Sequence, residues 1–155
     1  MSHQFLKVHY ASVVDWCWKV DILRANLDFH NHPHYDFALV QVTPDDNKYT
    51  FVQLVYIFQV RLLEKTLSLA LVHPFDAPLL RNQSSNLRDH ALRIKRLHPQ
   101  RRLQSVIIDV NTIVCGGLLA PDLESRGGEH LVIDVIDEDL WKRLKVVEFV
   151  TNAWL

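Results

Sequence analysis

Two apolar runs lie almost back to back in this chain, Phe51 to Leu63 and Leu67 to Phe75, with only Glu64, Lys65 and Thr66 between them. So short a gap cannot carry a crossover, and the pattern predicts that the runs pair as an antiparallel hairpin. Upstream the pattern alternates with a strand period. Tyr35, Phe37, Leu39 and Gln41 fall on one side and Asp36, Ala38, Val40 and Val42 on the other. Between Ser12 and Leu27 the period changes. Val13, Trp16, Val20, Leu23 and Leu27 recur at intervals of three and four, which predicts a helix with one apolar face. Ser12 would cap that helix, with Asp15 three residues on as a capping-box partner.

Turn chemistry divides the remainder. Pro33 holds His32 extended, and Thr43-Pro44-Asp45-Asp46-Asn47 reads as a turn. Ala77 to Asp89 is polar and reads as a surface loop. His90 to Leu97 alternates and suits a strand or a short helix, and Leu103 to Val110 suits a strand. Gly116-Gly117 predicts a bulge or a close backbone approach, and Gly127-Gly128 a turn. His130 to Ile136 reads as a buried strand. Asp137-Glu138-Asp139 then opens a short helix, Leu140 to Lys145, with its acidic residues at the favourable end of the helix dipole. The tail from Val146 to Leu155 is apolar with no evident partner.

Composition narrows the class. At 155 residues, with 48% hydrophobic and 23% charged, the chain can bury a core as one domain. A net charge of −1 gives no global attraction to nucleic acid. Cys17 and Cys115 alone make neither a zinc site nor a disulfide framework, and both are expected to be buried thiols. Met1 to Tyr10 lacks the apolar stretch of a signal peptide, and no apolar run nears the ~20 residues of a membrane span. The expectation is a soluble intracellular protein, nuclear or cytoplasmic and not secreted.

Several segments carry a resemblance. Pro33, Tyr35 and Asp36, then Leu69 to Val72 with Asp76 and Pro78, then Ile113, Gly116, Leu118, Leu119, Pro121 and Asp122, follow a pattern of Pro-x-Tyr-Asp, Leu-Ala-Leu-Val, Asp-x-Pro and Ile-x-x-Gly-x-Leu-Leu-x-Pro-Asp. The chain thereby resembles, over residues 8 to 145, a domain of fungal transposon-derived proteins found beside the transposase of Plavaka and CACTA-like elements. That resemblance implies a mobile-element origin and a nuclear context. The hairpin Phe51 to Phe75 followed by Ile113 to Gly117 is also similar in order to bromo-adjacent homology (BAH) domains of chromatin proteins.

Three constellations could carry chemistry. His30, His32 and His34 alternate, so a straight strand would aim three imidazoles the same way, with Asp36 as a fourth metal ligand. Asn31 and Pro33 oppose this by suggesting a bend, and alternate ligands on a strand span about 13 Å, too wide for one ion. Basic residues gather between Arg81 and Arg102, and Arg93, Lys95, Arg96, Arg101 and Arg102 are the candidates for phosphate contacts, unless acidic residues of the C-terminal third pair with them. Among the aromatics, most of which should be core, Trp18 and Tyr35 are the candidates for a peptide groove or cage. No Gly-rich phosphate loop, Gly-x-Ser-x-Gly elbow or His-Glu-x-x-His is present. Asp36, Asp76, Asp109 and Asp122 do not read as a nuclease cluster, because Asp76 and Asp122 sit in proline turns.

These readings predict a mainly β domain, a small SH3-like or BAH-like barrel with an N-terminal helix and a short C-terminal helix. Residues 1–28 would be the helical segment, 29–145 the barrel and 146–155 a tail. The predicted core is Leu39, Val52, Leu54, Tyr56, Phe58, Leu69, Leu71, Phe75, Ile107, Ile113, Leu118, Val132 and Val135. The expected function is a non-catalytic binding module without cofactor, contacting DNA, a chromatin protein or a transposase protein. The alternatives are a metal site or metal-dependent enzyme at the histidines, or a structural or assembly domain without a ligand.

Overall fold

A computed structural model describes residues 1–43, 48–76, 91, 94–123, 128–145 and 148–149. Residues 44–47 and 77–90, where the predicted turn and polar loop fall, residues 92–93 (Arg93 among them), the segment 124–127 and most of the predicted tail lie outside the described residues.

The protein is mainly β. In chain order the strands are β1 (Ser2–His3), β2 (Phe5–Ala11), β3 (Trp18–Phe29), β4 (His32–Tyr35), β5 (Phe37–Gln41), β6 (Lys48–Leu62), β7 (Lys65–Asp76), β8 (Arg96–Pro99), β9 (Val106–Asp109), β10 (Ile113–Gly117), β11 (Leu119–Pro121), β12 (His130–Val132) and β13 (Glu148–Phe149). A helix, α1 (Glu138–Arg143), follows β12, capped by the Asp137 carboxylate, which accepts the N–H groups of Asp139 and Leu140. The main sheet runs β10-β5-β6-β7-β8-β12-β11, with β1 and β13 also on β6 and β9 also on β7. A separate sheet runs β2-β3-β4. The main path is open, not a closed barrel, although its end strands β10 and β11 are consecutive in the chain with only Leu118 between them.

The central hairpin forms as the apolar runs require, its loop being Leu63–Glu64 and its register running from Leu62↔Lys65 to Phe51↔Phe75. Strand β5 and the first half of β6 are buried on both faces. Ala38, Val40, Val52 and Leu54 face one cluster with Val8, Leu23 and Ala25 of the β2–β3 hairpin. Leu39 and Phe51 face a second cluster with Phe75, Leu97, Leu119, Val132, Leu140 and Leu144. A sheet packed on both sides reads as a continuous apolar run rather than as alternation. The fold is therefore layered: the β2–β3 hairpin, the central sheet, then β8, β11, β12 and α1.

The predicted N-terminal helix is not formed. Residues 12–17 are a turn between β2 and β3, and the rest of the helical pattern lies in β3. Ser12 does cap, but it caps the turn. Its hydroxyl accepts the N–H groups of Val14 and Asp15, and Trp16 closes the turn at φ 61°. The three-and-four spacing was coincidental with a β-rich segment, and pairing along the full length of β2 prevailed. Val20 and Leu27, assigned to a buried helix face, are exposed.

The predicted core holds for Leu39, Val52, Leu54, Phe75, Ile113 and Val132, while Phe58, Leu69 and Leu71 are half-buried. It fails at Tyr56, Ile107, Leu118 and Val135, which are exposed. For Tyr56 the cause is a bulge: the register with β7 slips between Leu54 and Tyr56, so Ile57 turns inward in its place. At Ile107 and Leu118 the adjacent Ile108 and Leu119 take the inner position. Val135 lies beyond the end of β12, which is shorter than the predicted strand.

Candidate functional site

The three histidines do not converge. His30 and Asn31 both have positive φ, 53° and 66°, and form the two-residue loop between β3 and β4, where Phe29 pairs with His32. That loop interrupts the alternation on which a shared face depends. His30 instead meets the Phe29 ring edge-on, with centroids 4.4 Å apart. His34 lies 5.2 Å from the same ring, and its Nε2 is 2.8 Å from Asp36 Oδ1. Among the described residues, no group of three or more His, Cys, Asp or Glu is placed to hold a metal ion.

The basic candidates divide. Lys95 Nζ donates to Asp134 Oδ2 at 2.7 Å, and Arg96 donates to Asp122 and, at 3.2 Å, to Glu129 Oε2. Both are neutralised by carboxylates from the C-terminal third, so they do not present free charge. Arg101 and Arg102 lie at a 3-10 turn after β8, exposed and without an ion pair among the described residues. Arg93 lies outside the described residues.

Trp18 and Tyr35 do not form one cage. Trp18 begins β3 and is exposed, whereas Tyr35 pairs with Ala25 further along β3 and packs on the core. Seven residues of strand, about 23 Å, separate the two positions along β3. Asp36, Asp76, Asp109 and Asp122 also stay apart: Asp76 accepts from Gln100, Asp109 from Asn111 and Asp122 from Arg96.

What the fold does assemble is a cleft of about 600 Å³ between the β2–β3 hairpin and the segment leading into α1. Its walls carry five carboxylates, Asp21, Asp36, Asp137, Glu138 and Asp139, against two cations, Lys19 and Arg24. Ile22, Leu118 and Ile136 stand exposed along it, and Gly116 and Gly117 add bare backbone. Gly117 is required by a close approach: a Cβ there would lie 2.6 Å from the buried Phe51 ring.

Two carboxylates act as struts. Asp21 Oδ2 accepts the Gly116 N–H at 2.7 Å, fixing β10 beneath the hairpin. Asp139 is buried, and its Oδ1 accepts the Val13 N–H at 2.9 Å across 126 residues of chain. Its Oδ2 takes Lys19 Nζ at 3.2 Å, and Arg143 Nε lies 3.5 Å from Oδ1. Burial alone would raise the Asp139 pKa. Hydrogen bonds from the Ser12 hydroxyl, Val13 N–H and Lys19, with the Arg143 charge, outweigh burial and hold it below the usual carboxylate range. Asp137 and Glu138 are exposed, and their charge faces solvent in the cleft. Asp137 uses only Oδ1 in its capping bonds, and Glu138 meets Lys142 at 3.0 Å in an exposed pair.

The sequence did not single out this cleft. Asp137, Glu138 and Asp139 read only as a helix start. The strand alternation that would have exposed Ile22 and turned Asp21 inward was hidden beneath the helical spacing of residues 13–27. No protein family, curated protein or solved structure matches the chain.

Proposed function

We propose that this chain is a non-catalytic binding module whose cleft receives a basic, extended segment of a partner protein, of the kind chromatin proteins carry. The supporting observation is the lining: five carboxylates against two cations in a concave site with exposed apolar side chains, on a chain of net charge −1. A cleft of one sign concentrates ligands of the other. Apolar side chains among the charges supply contact area that a purely ionic surface lacks. A transposon-derived origin, a nuclear setting and an SH3-like or BAH-like barrel belong to the same proposal. The succession of β10 and β11 supports the barrel, because the chain passes across Leu118 from one end of the sheet order to the other.

Fluorescence anisotropy with a labelled peptide alternating lysine and valine tests the reading, with the glutamate–valine peptide as control. The lysine peptide should bind, more weakly as salt rises. Replacing Asp137 with Asn and Glu138 with Gln, which keeps the helix cap, should weaken it by about three- to tenfold. Equal binding of both peptides, or no response to the double variant, would remove the proposal.

A nucleic-acid contact is the second reading, and Arg101 and Arg102, exposed and without an ion pair among the described residues, favour it. Two phosphate contacts would put about two units into the slope of log affinity against log salt, and Ala at both positions should abolish that part. An unchanged slope would exclude it.

A further inference from the structure

We infer that the guest segment is bound by strand addition to the open edge of β3, an inference that rests on the cleft reading above. Strand β3 has two different neighbours on its two sides. Strand β2 covers one edge from Trp18 to Arg24, and β4 covers the other only from Ala25 to Phe29. The stagger leaves one edge of the first half of β3 uncovered.

The hydrogen bonds show which backbone groups face that edge. The Ala25 N–H donates to the Gln4 carbonyl on the β2 side. The Arg24 N–H donates to Asp36 Oδ2, and the Arg24 carbonyl accepts the Asp36 N–H, on the β4 side. Because the direction alternates along a strand, Ile22, Val20 and Trp18 point their N–H and C=O groups the same way as Arg24. Among the described residues, nothing bonds to them there. Lys19, Asp21, Ile22, Leu23 and Arg24 line the cleft, so this open edge runs into its wall at Ile22. The uncovered stretch of five residues spans about 16 Å. An unpaired edge of this kind is a template for another strand.

Register then dictates the guest sequence. Val20 and Ile22 are exposed on the outer face of the hairpin, whereas Leu23 and Ala25 turn inward to the core. An added strand would alternate likewise. Its outward side chains would lie beside Val20 and Ile22 and should be apolar. Those in between would point toward Asp21, Asp137, Glu138 and Asp139 and should be basic. The guest is thus an extended protein segment in which basic and apolar residues alternate.

The test leaves the protein unaltered. Two versions of the alternating lysine–valine peptide are made, one N-methylated at successive valines and one at successive lysines. In strand addition only alternate amides face β3. One version should therefore lose about tenfold or more in affinity through two missing bonds, and the other less than threefold. Loss at the valines specifies antiparallel docking and loss at the lysines parallel docking. Equal effects of the two versions, with the parent peptide bound, would overturn strand addition while leaving the cleft reading intact. Failure of the parent peptide to bind would overturn both.

Discussion

Asp139→Asn is the most informative single perturbation, because Asp139 is both buried and the tie between the β2–β3 turn and α1. The variant keeps Oδ1 and can still accept the Val13 N–H, found at 2.9 Å. It replaces Oδ2 with an amide that presents hydrogens to the Lys19 ammonium, now 3.2 Å away. It also leaves the half-buried Arg143 guanidinium without its countercharge. Removing one partner of a fully buried pair costs about 3–5 kcal/mol. Lys19 is well solvated and recovers its hydration, which leaves about 2 kcal/mol for the loss at Arg143 and the displaced acceptor. The pH dependence follows from the direction of the shift. A carboxyl held below its ordinary value contributes stability that is fully present above the unfolded pKa of about 4 and is lost as pH falls through the folded value. Urea denaturation of both proteins from pH 8 downward should show a constant gap of about 2 kcal/mol to about pH 5, closing only below about pH 4. A gap under about 0.5 kcal/mol at pH 7, the range of ordinary surface substitutions, would refute the role of Asp139 as a strut. So would a gap already closing near pH 6.

Three further outcomes can be checked on the same material. Gly117→Ala would press a methyl group 2.6 Å from the Phe51 ring, which is fully buried and has no room to swing, so it should cost about 1–3 kcal/mol in urea. Gly116→Ala, with nearest contacts at 3.1 Å, should cost less, and the reverse order would contradict the packing. Leu63 sits at φ 54° in the β6–β7 loop and is 96% exposed, so Leu63→Gly relieves left-handed strain without losing packing and should raise stability by about 0.5–1 kcal/mol; no gain in the unfolding midpoint would contradict this. Cys17 is exposed, contrary to expectation, while burial pushes the Cys115 thiol up to about 12. A thiol reagent at neutral pH should therefore label one cysteine in the folded protein and both in urea, and rapid labelling of both when folded would contradict the burial of Cys115.

The central hairpin was legible because its apolar runs are continuous and its gap admits one topology. The start of α1 was legible because Asp137 caps through chemistry that a sequence displays directly. The β2–β3 hairpin was not. Its inward positions, Val8, Leu23 and Ala25, are few, while its outward face is rich in Trp18, Val20 and Ile22. Apolar residues on both faces blur a period of two, and Val20, Leu23 and Leu27 happened to continue from Val13 and Trp16 of the preceding turn with a period near 3.6. Tyr56 shows a second limit, for a bulge shifts the inward face by one residue without leaving a Gly or Pro to announce it.

The same blurring conceals the cleft. An outward face bearing Trp18, Val20 and Ile22 looks like core until the strand's neighbours are known, and only the offset of β4 from β2 shows that half an edge is left over. The charges follow the same logic. Lys95 and Arg96 are one of two adjacent basic pairs in the candidate ridge, yet Asp134, Asp122 and Glu129 neutralise them across the β8–β12–β11 layer. Asp137 and Glu138, which look like routine helix-start residues, stay exposed beside that open edge, Glu138 in a solvent-facing pair with Lys142. Local charge density in a sequence therefore pointed to a cationic surface, whereas tertiary pairing consumes Lys95 and Arg96 and leaves the Asp137 carboxylate facing solvent at the cleft. The sign of a binding surface is set by which charges remain after the fold has paired the rest, and here the remainder at the cleft is negative.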